Sequence, residues 1–214
     1  IFLSFEESLK YMPGKVLGNP VRKKILEADR NFCRSKFNFG PDDKVVLVMG
    51  GSQGAKKINE SVINSLASLP AKVKIIHIIG QRDFGWVSSF LGEKTYKNYI
   101  PFAYLYDMSE VLAAADLVVS RAGATAIAEF LARQLPMILV PFPYAAQDHQ
   151  SLNAQILVKD GMAIMAKDSD FTPERFVKLL NEILSNYDKM KGVLKDKIKQ
   201  NAAERIVDYI YAQT

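Results

Sequence analysis

Two glycine-rich stretches, GGSQGA at Gly50–Ala55 and SRAGAT at Ser120–Thr125, each follow a short apolar run and each lead into a helical pattern. A strand that breaks at small residues into a helix leaves backbone N–H groups converging on one point, with the positive end of the helix dipole behind them. That arrangement suits an anion. In the first stretch Gly50 and Gly51 let the chain turn tightly and approach a ligand closely, Ser52 and Gln53 add polar groups, and Gly54 opens the helix. A helix N-terminus contributes about 0.3 to 2 kcal/mol toward a nearby negative charge. Two such turns suit a ligand with more than one polar end, such as a diphosphate substituted on both sides. A tight turn with a purely structural role is the other reading of the first motif alone.

The second stretch carries more chemistry. Arg121, Ala122, Gly123, Ala124 and Thr125 are expected to begin a helix, and Glu129 follows Thr125 by four residues, close to the same helical face. A carboxylate there can accept hydrogen bonds from a ribose diol while the helix start faces phosphate; charged hydrogen bonds of this kind contribute about 1.5 to 3 kcal/mol each. Glu129 as a simple complement to the helix dipole stays open on these residues alone. Further on, Gln147, Asp148, His149, Gln150 and Asn153 crowd polar groups onto a loop and helix start. Amides that both donate and accept suit a hydroxyl-rich sugar. The plainer alternative makes Asp148 an N-cap and leaves the others exposed.

Several chemistries are excluded. The G-G-x-x-G spacing is not the dinucleotide fingerprint, the second strand lacks a following acidic residue for an adenine ribose, and no Gly-Lys-Ser/Thr makes a Walker loop. His77 and His149 have no partners at metal-ligand spacing, so neither metal nor cofactor is expected. No Ser/His/Asp or Cys/His pairing is apparent, and no catalytic base is assigned in this chain.

The elements that must position these residues follow from periodicity. The β-branched runs Val45–Met49, Val73–Ile79, Leu117–Val119 and Met137–Val140, with a further strand around Ala163–Met165, read as strands buried on both faces. Between them Ile58, Val62, Leu66 and Leu69 share a helical face, as do Ile127, Phe130 and Leu131, and then Leu152, Ile156 and Leu157. Strand and helix alternate. The fold class is therefore α/β, a Rossmann-like doubly wound parallel sheet that binds ligands outside the carboxyl ends of its strands. Residues 1–20 break the alternation with two strand-like pieces, IFLSFEES and GKVLGNP, and are expected to be the remnant of a preceding domain plus a hinge. Thr172-Pro173-Glu174 is a helix start, with Thr172 as N-cap and Pro173 in the first turn.

Composition adds bounds. The 214 residues, 49% hydrophobic, suffice for one substantial core. The single cysteine, Cys33, excludes an internal disulfide framework and fits a reducing compartment as an inert residue. No run of about eighteen apolar residues and no signal-peptide pattern occurs. The net charge of +5 is scattered, apart from Lys189, Lys191, Lys195, Lys197 and Lys199, which read as a solvated helix face or as a contact for a membrane surface. No stacking motif accompanies them, and nucleic acid is not expected as a partner.

GNPVR at Gly18–Arg22, GGSQGA at Gly50–Ala55, YLYDM at Tyr104–Met108, SRAGATAIAE at Ser120–Glu129, LPMILVPFP at Leu135–Pro143 and DHQSLNA at Asp148–Ala154 together resemble the MurG family. These are bacterial UDP-N-acetylglucosamine:undecaprenyl-pyrophosphoryl-muramoyl-pentapeptide transferases, which convert lipid I to lipid II in peptidoglycan synthesis. The resemblance implies a GT-B fold of which this chain is the C-terminal, donor-binding half. It divides the chain into a remnant of the acceptor domain and hinge (1–20), a UDP-GlcNAc-binding domain (21–199) and a C-terminal helix packing back toward the N-terminal domain (200–214). It implies Arg22 and Ser52 at the donor diphosphate, with Gly51 and Gln53 shaping that loop. Tyr104 and Leu105 would hold the uracil, Glu129 the ribose, Ala124 and Thr125 a phosphate, and Gln150 with Asn153 the GlcNAc hydroxyls.

Two departures qualify what is implied. Ala126 stands where the family often has a second Thr, which removes one hydroxyl donor to phosphate. The family's N-terminal glycine-rich loop and its His, associated with acceptor binding and general-base chemistry, have no counterpart here. The implied reaction is an inverting transfer from UDP-GlcNAc to lipid I, by an enzyme peripheral on the inner face of the plasma membrane and in contact with anionic lipid. This half is expected to bind donor without turning over. A stand-alone nucleotide-sugar-binding subunit, or a non-catalytic sensor that needs a partner, is the alternative.

Overall fold

The computed structural model describes residues 1–213 apart from Phe5, Tyr11, 52–54, Glu93, Thr95 and 198–201, and leaves undescribed the side chains of Glu7, Ala146 and Lys197. In chain order the elements are β1 (Phe2–Leu3), β2 (Lys15–Val16), α1 (Lys23–Glu27), α2 (Arg30–Lys36), β3 (Lys44–Met49) and α3 (Lys56–Ser65). There follow β4 (Val73–Ile78), α4 (Gln81–Leu91), β5 (Tyr99–Phe102), α5 (Ser109–Ala114), β6 (Leu117–Ser120), α6 (Ala124–Ala132) and β7 (Met137–Leu139). The chain continues through α7 (His149–Lys159), β8 (Ala163–Met165), α8 (Pro173–Ser185), α9 (Tyr187–Lys197) and α10 (Ala202–Tyr211).

Strands β3 to β8 form one parallel sheet in the order β5-β4-β3-β6-β7-β8. The chain winds outward from β3 in one direction and, after β5, returns to β6 and winds outward in the other. The reversal lies between β3 and β6, where crossovers leave on opposite faces and a crevice opens at the carboxyl ends. The alternation of side chains along each strand splits the core in two. Val46, Val48, Ile75, Leu117 and Val119 meet Ile58 and Val62 of α3 and Phe176, Leu179 and Ile183 of α8 on one face. Val45, Leu47, Ile76, Val118 and Met137 meet Leu112 of α5, Ile127 and Phe130 of α6 and Leu157 of α7 on the other. Each fully buried aliphatic side chain contributes about 1.5 to 3 kcal/mol, so this double coverage fixes strand register firmly.

The expected strands and the alternation are present, with corrections. Strand β5 was not anticipated: YIPF is four residues long, contains Pro101, and forms the sheet edge, where a missing N–H is tolerated. The helix after the second glycine-rich turn starts at Ala124, not Arg121, because Gly123 is the extended N-cap residue. The inner face of α7 is Ala154 and Leu157, whereas Leu152 is exposed. Thr172 caps α8 as expected, its hydroxyl accepting from Arg175 N.

Strands β1 and β2 pair in parallel as a separate two-stranded sheet. Helix α10 lies against it: Arg205 donates to the carbonyls of Val16 and Leu17, and the Phe2 and Tyr209 rings meet edge to face at 5.9 Å. Of the lysine cluster, Lys189 and Lys195 are exposed, while Lys191 turns inward to donate to Gln134 O at 2.8 Å, burial lowering its pKa. Lys199 and the side chain of Lys197 lie outside what is described. Cys33 is buried, which pushes its thiol pKa up and fits an inert residue.

The amino end of the sheet is closed by ion pairs. The buried Asp116, just before β6, accepts from Arg30 (2.7 Å), Arg34 (3.0 Å), Val45 N (2.8 Å) and the Tyr187 hydroxyl (3.3 Å). Burial, with the charge of Asp116, pushes Tyr187 up to about 12. Every lone pair of the carboxylate faces a donor, as a charge at this depth requires.

Candidate functional site

The crevice at the β3/β6 reversal holds both glycine-rich turns. Met49 and Ser120, the last residues of the two strands, are register partners, so Gly50–Gly51 and Arg121–Gly123 emerge side by side. Gly51 has φ 89°, a conformation L side chains rarely adopt, and an added Cβ at Gly51 or Gly123 would meet nothing within 4 Å. Gly51 and Gly123 therefore border open space. No side chain caps α6, so the N–H groups of Ala124 and Thr125 point into the crevice with the dipole behind them. Helix α3 likewise starts without a side-chain cap at Ala55. Ser52 and Gln53, both expected site residues, lie outside the described residues.

Arg22 and Glu129 meet across the crevice. Glu129 sits one turn into α6 with its side chain 12% exposed, and its Oε1 accepts from Arg22 Nη2 at 3.1 Å. Arg22 is the N-cap residue of α1 and its side chain is 59% exposed, free to move toward an anion. Such a solvated pair contributes no more than about 1 kcal/mol, so a ligand can displace it.

The loop after β5 brings Tyr104 and Leu105 to the same edge of the sheet. Leu105 is packed against the core, whereas Tyr104 is exposed and meets Tyr106 edge to face at 5.0 Å. The loop is tied down by Asp107, which pairs with Lys24 of α1 and accepts from the Ser109 N–H and hydroxyl. These bonds, that to Lys24 first, hold the Asp107 carboxyl well below the usual carboxylate range. Strand β5 stands two places from β3, about 10 Å away at the usual interstrand spacing. That distance suits one end of an elongated ligand whose middle lies at the turns.

Gln150 and Asn153 are turned partly toward the backbone. Gln150 Oε1 accepts from Ala122 N at 3.1 Å and Phe142 N at 3.0 Å, and Asn153 Nδ2 donates to Ala122 O at 3.1 Å. These bonds fix the amide orientations and leave the Gln150 NH₂ and the Asn153 carbonyl as the groups able to face a ligand. Asp148 is the N-cap residue of α7, as its plainer reading had it, but in a left-handed conformation with no side-chain cap bond. Gln147 beside it is also left-handed, at φ 50°. Two adjacent non-glycine residues in this region cost about 1 to 2 kcal/mol each and persist only where their surroundings over-determine them.

Arg121 is the residue whose role sequence reasoning missed. Its Nη1 donates to Val140 O (3.0 Å) and Pro141 O (3.1 Å) and pairs with Asp168 Oδ1 at 2.6 Å, and the guanidinium lies 5.5 Å from the Phe142 ring centre. The available signal was an arginine at the end of an entirely buried strand, where a charge needs partners.

His77 is excluded as a base. Asn59 Nδ2 donates to Ile79 O and Asp83 Oδ2, so Asn59 Oδ1 faces His77 Nε2, which carries the proton, and His77 Nδ1 accepts from the Tyr99 hydroxyl. Complete burial lowers the imidazole pKa to about 3. Among the described residues no group of three or more His, Cys, Asp or Glu is arranged to hold a metal. None of their helices is long and apolar enough to cross a membrane.

The profile of the glycosyltransferase family 28 C-terminal domain matches residues 45–210. The chain is 36% identical, over 98% of its length, to the UDP-N-acetylglucosamine--N-acetylmuramyl-(pentapeptide) pyrophosphoryl-undecaprenol N-acetylglucosamine transferase of Desulforamulus reducens. It is 38% identical, over 89% of its length, to the transferase of the same name from Halothermothrix orenii. It spans 59% and 55% of those two proteins. Among solved structures, MurG of Acinetobacter baumannii is similar with a TM-score of 0.74 and 28% identity, over 94% of this chain and 57% of that one.

Proposed function

The chain belongs to glycosyltransferase family 28, whose C-terminal domain it carries as the Rossmann-like half of a GT-B fold, and from that premise we propose that it is the donor-binding half of an inverting N-acetylglucosaminyltransferase. The donor is UDP-GlcNAc and the acceptor is lipid I. The observation that carries this reading is the uncapped start of α6 beside the Arg22–Glu129 contact at the sheet reversal, with Gly51 facing open space next to it. Diphosphate lies along the two turns, with Arg22 leaving Glu129 to meet it and Ser52 donating from the first turn. Glu129, released, accepts from the ribose hydroxyls. Tyr104 packs on uracil and the Leu105 backbone pairs with it, while the Gln150 NH₂ and the Asn153 carbonyl read the sugar.

In the transfer, the 4-hydroxyl oxygen of the muramoyl unit attacks the anomeric carbon on the face opposite the diphosphate. The bond from that carbon to the phosphate oxygen breaks, and UDP departs with the electron pair. Charge builds on the leaving diphosphate, where the N–H groups of Ala124 and Thr125 and the displaced Arg22 stabilise it. The hydroxyl proton passes to a base outside this chain, in the domain that binds the acceptor. Residues 1–20 and 200–214 form the join to that domain. The whole enzyme sits on the cytoplasmic face of the plasma membrane, against anionic lipid, and has no nucleic-acid partner.

Calorimetric titration with UDP-GlcNAc, UDP-glucose and NADH tests the reading. Selective binding of UDP-GlcNAc in the micromolar range, about −8 kcal/mol, is expected. Equal binding of NADH, or no binding of any nucleotide, would overturn it.

A further inference from the structure

Strand β7 ends at Leu139, so the carbonyls of Val140 and Pro141 fall beyond the sheet ladder, at the start of a loop that runs to α7. One guanidinium takes both. Arg121 also reaches Asp168, in the turn after β8, and so ties together the ends of β6, β7 and β8. Its side chain is 12% exposed and is spent on these partners, with Phe142 beside it. The next residue, Ala122, is held by Gln150 and Asn153, and Gln150 also holds Phe142 N. Residues 121–122 of the second turn and 140–142 of the loop are thus bound into one unit. Beyond it the loop passes through the left-handed pair Gln147–Asp148 directly into the helix that carries Gln150 and Asn153. Within the loop Ala145 N donates to Phe142 O (3.2 Å) and Asp148 N to Ala145 O (3.0 Å), so a chain of turns runs from the anchored Phe142 to the left-handed pair.

We propose that Arg121 is a positioning residue for the sugar side of the site: it holds residues 141–148, and through them Gln150 and Asn153, in the donor-reading pose without itself touching the donor. The proposal rests on the reading of this crevice as a UDP-sugar site. It separates two roles that an arginine beside a diphosphate could have. A direct phosphate contact would serve UDP and UDP-GlcNAc alike, whereas a positioning role serves only the sugar.

The test titrates UDP and UDP-GlcNAc into the full chain as wild type, Arg121→Met, which keeps an apolar stem, and Asp168→Asn, with amide hydrogen exchange followed in the ligand-free proteins. Arg121→Met should weaken UDP-GlcNAc about tenfold, leave UDP within about twofold, and speed exchange across residues 142–150. Asp168→Asn should shift the same quantities in the same direction by less. A parallel loss of UDP affinity, or unchanged exchange in the loop, would overturn the positioning role alone. Wild-type protein that binds neither nucleotide would overturn the donor reading and this proposal with it.

Discussion

The two ends of the sheet are built to opposite rules. At the amino end Asp116 is buried and saturated by two arginines, a backbone N–H and a tyrosine hydroxyl. At the carboxyl end Glu129 has a single described partner, the solvated Arg22, and neighbouring helix starts have no side-chain caps. Both carboxylates belong to the β6–α6 unit, thirteen residues apart in sequence. Their difference shows how one supersecondary unit divides its labour. The amino end meets its buried carboxylate with four donors and supplies stability, while the carboxyl end leaves the start of α6 without a side-chain cap and Glu129 with one described partner.

The largest test of that division is Asp116→Ala. Two arginines lose their buried counter-charge, and unfolding free energy should fall by about 3 to 5 kcal/mol in urea denaturation; a loss under 1 kcal/mol would show the amino end to be less closed than described. Glu129→Ala should do the reverse. It should weaken UDP binding by about 1.5 to 3 kcal/mol in calorimetry while moving the urea midpoint little, and unchanged affinity would remove Glu129 from the ribose.

His77 sharpens the comparison by pH. Unfolded, its imidazole takes a proton near the ordinary 6.5, but in the fold it does so only at about 3. Between those values the unfolded state binds more protons, so stability is complete above 6.5 and falls as pH drops toward 3. The slope is about 1.4 kcal/mol per pH unit, or about 2 kcal/mol lost at pH 5. The dependence should be read against His77→Gln, which lacks this group, and parallel profiles would contradict the buried neutral imidazole. The smallest effect belongs to Arg22→Met, which should change stability by less than about 1 kcal/mol yet weaken UDP binding measurably.

What could be read from the sequence was what neighbours in the chain decide. Val45–Met49 and Leu117–Val119 announce strands because β-branched runs have few other uses, and Thr172-Pro173 announces a helix start within three residues. The position of Glu129 near the start of α6 was legible because Thr125 and the turn before it lie within two helical turns. Asp116 was not, since its arginines stand 82 and 86 residues away in sequence and nothing in ADLVVS says that the aspartate is buried. Arg121 was hidden for the same reason: its partners are the end of β7 and the turn after β8, which only the assembled sheet brings together. In Gln150 the residue type was informative and its geometry was not. An amide was expected at a sugar, but that its oxygen is committed to two backbone N–H groups depends on the path of the loop.

The contact between α10 and the β1–β2 pair has a kinetic meaning. Arg205 and Leu17 are 188 residues apart in sequence, and their contact is useful only after the intervening sheet has drawn the two segments near each other. Closure of this clasp therefore belongs to the last stage of folding. Its helix buries no residue fully, so opening this clasp is expected to cost less than opening the helices that cover the sheet.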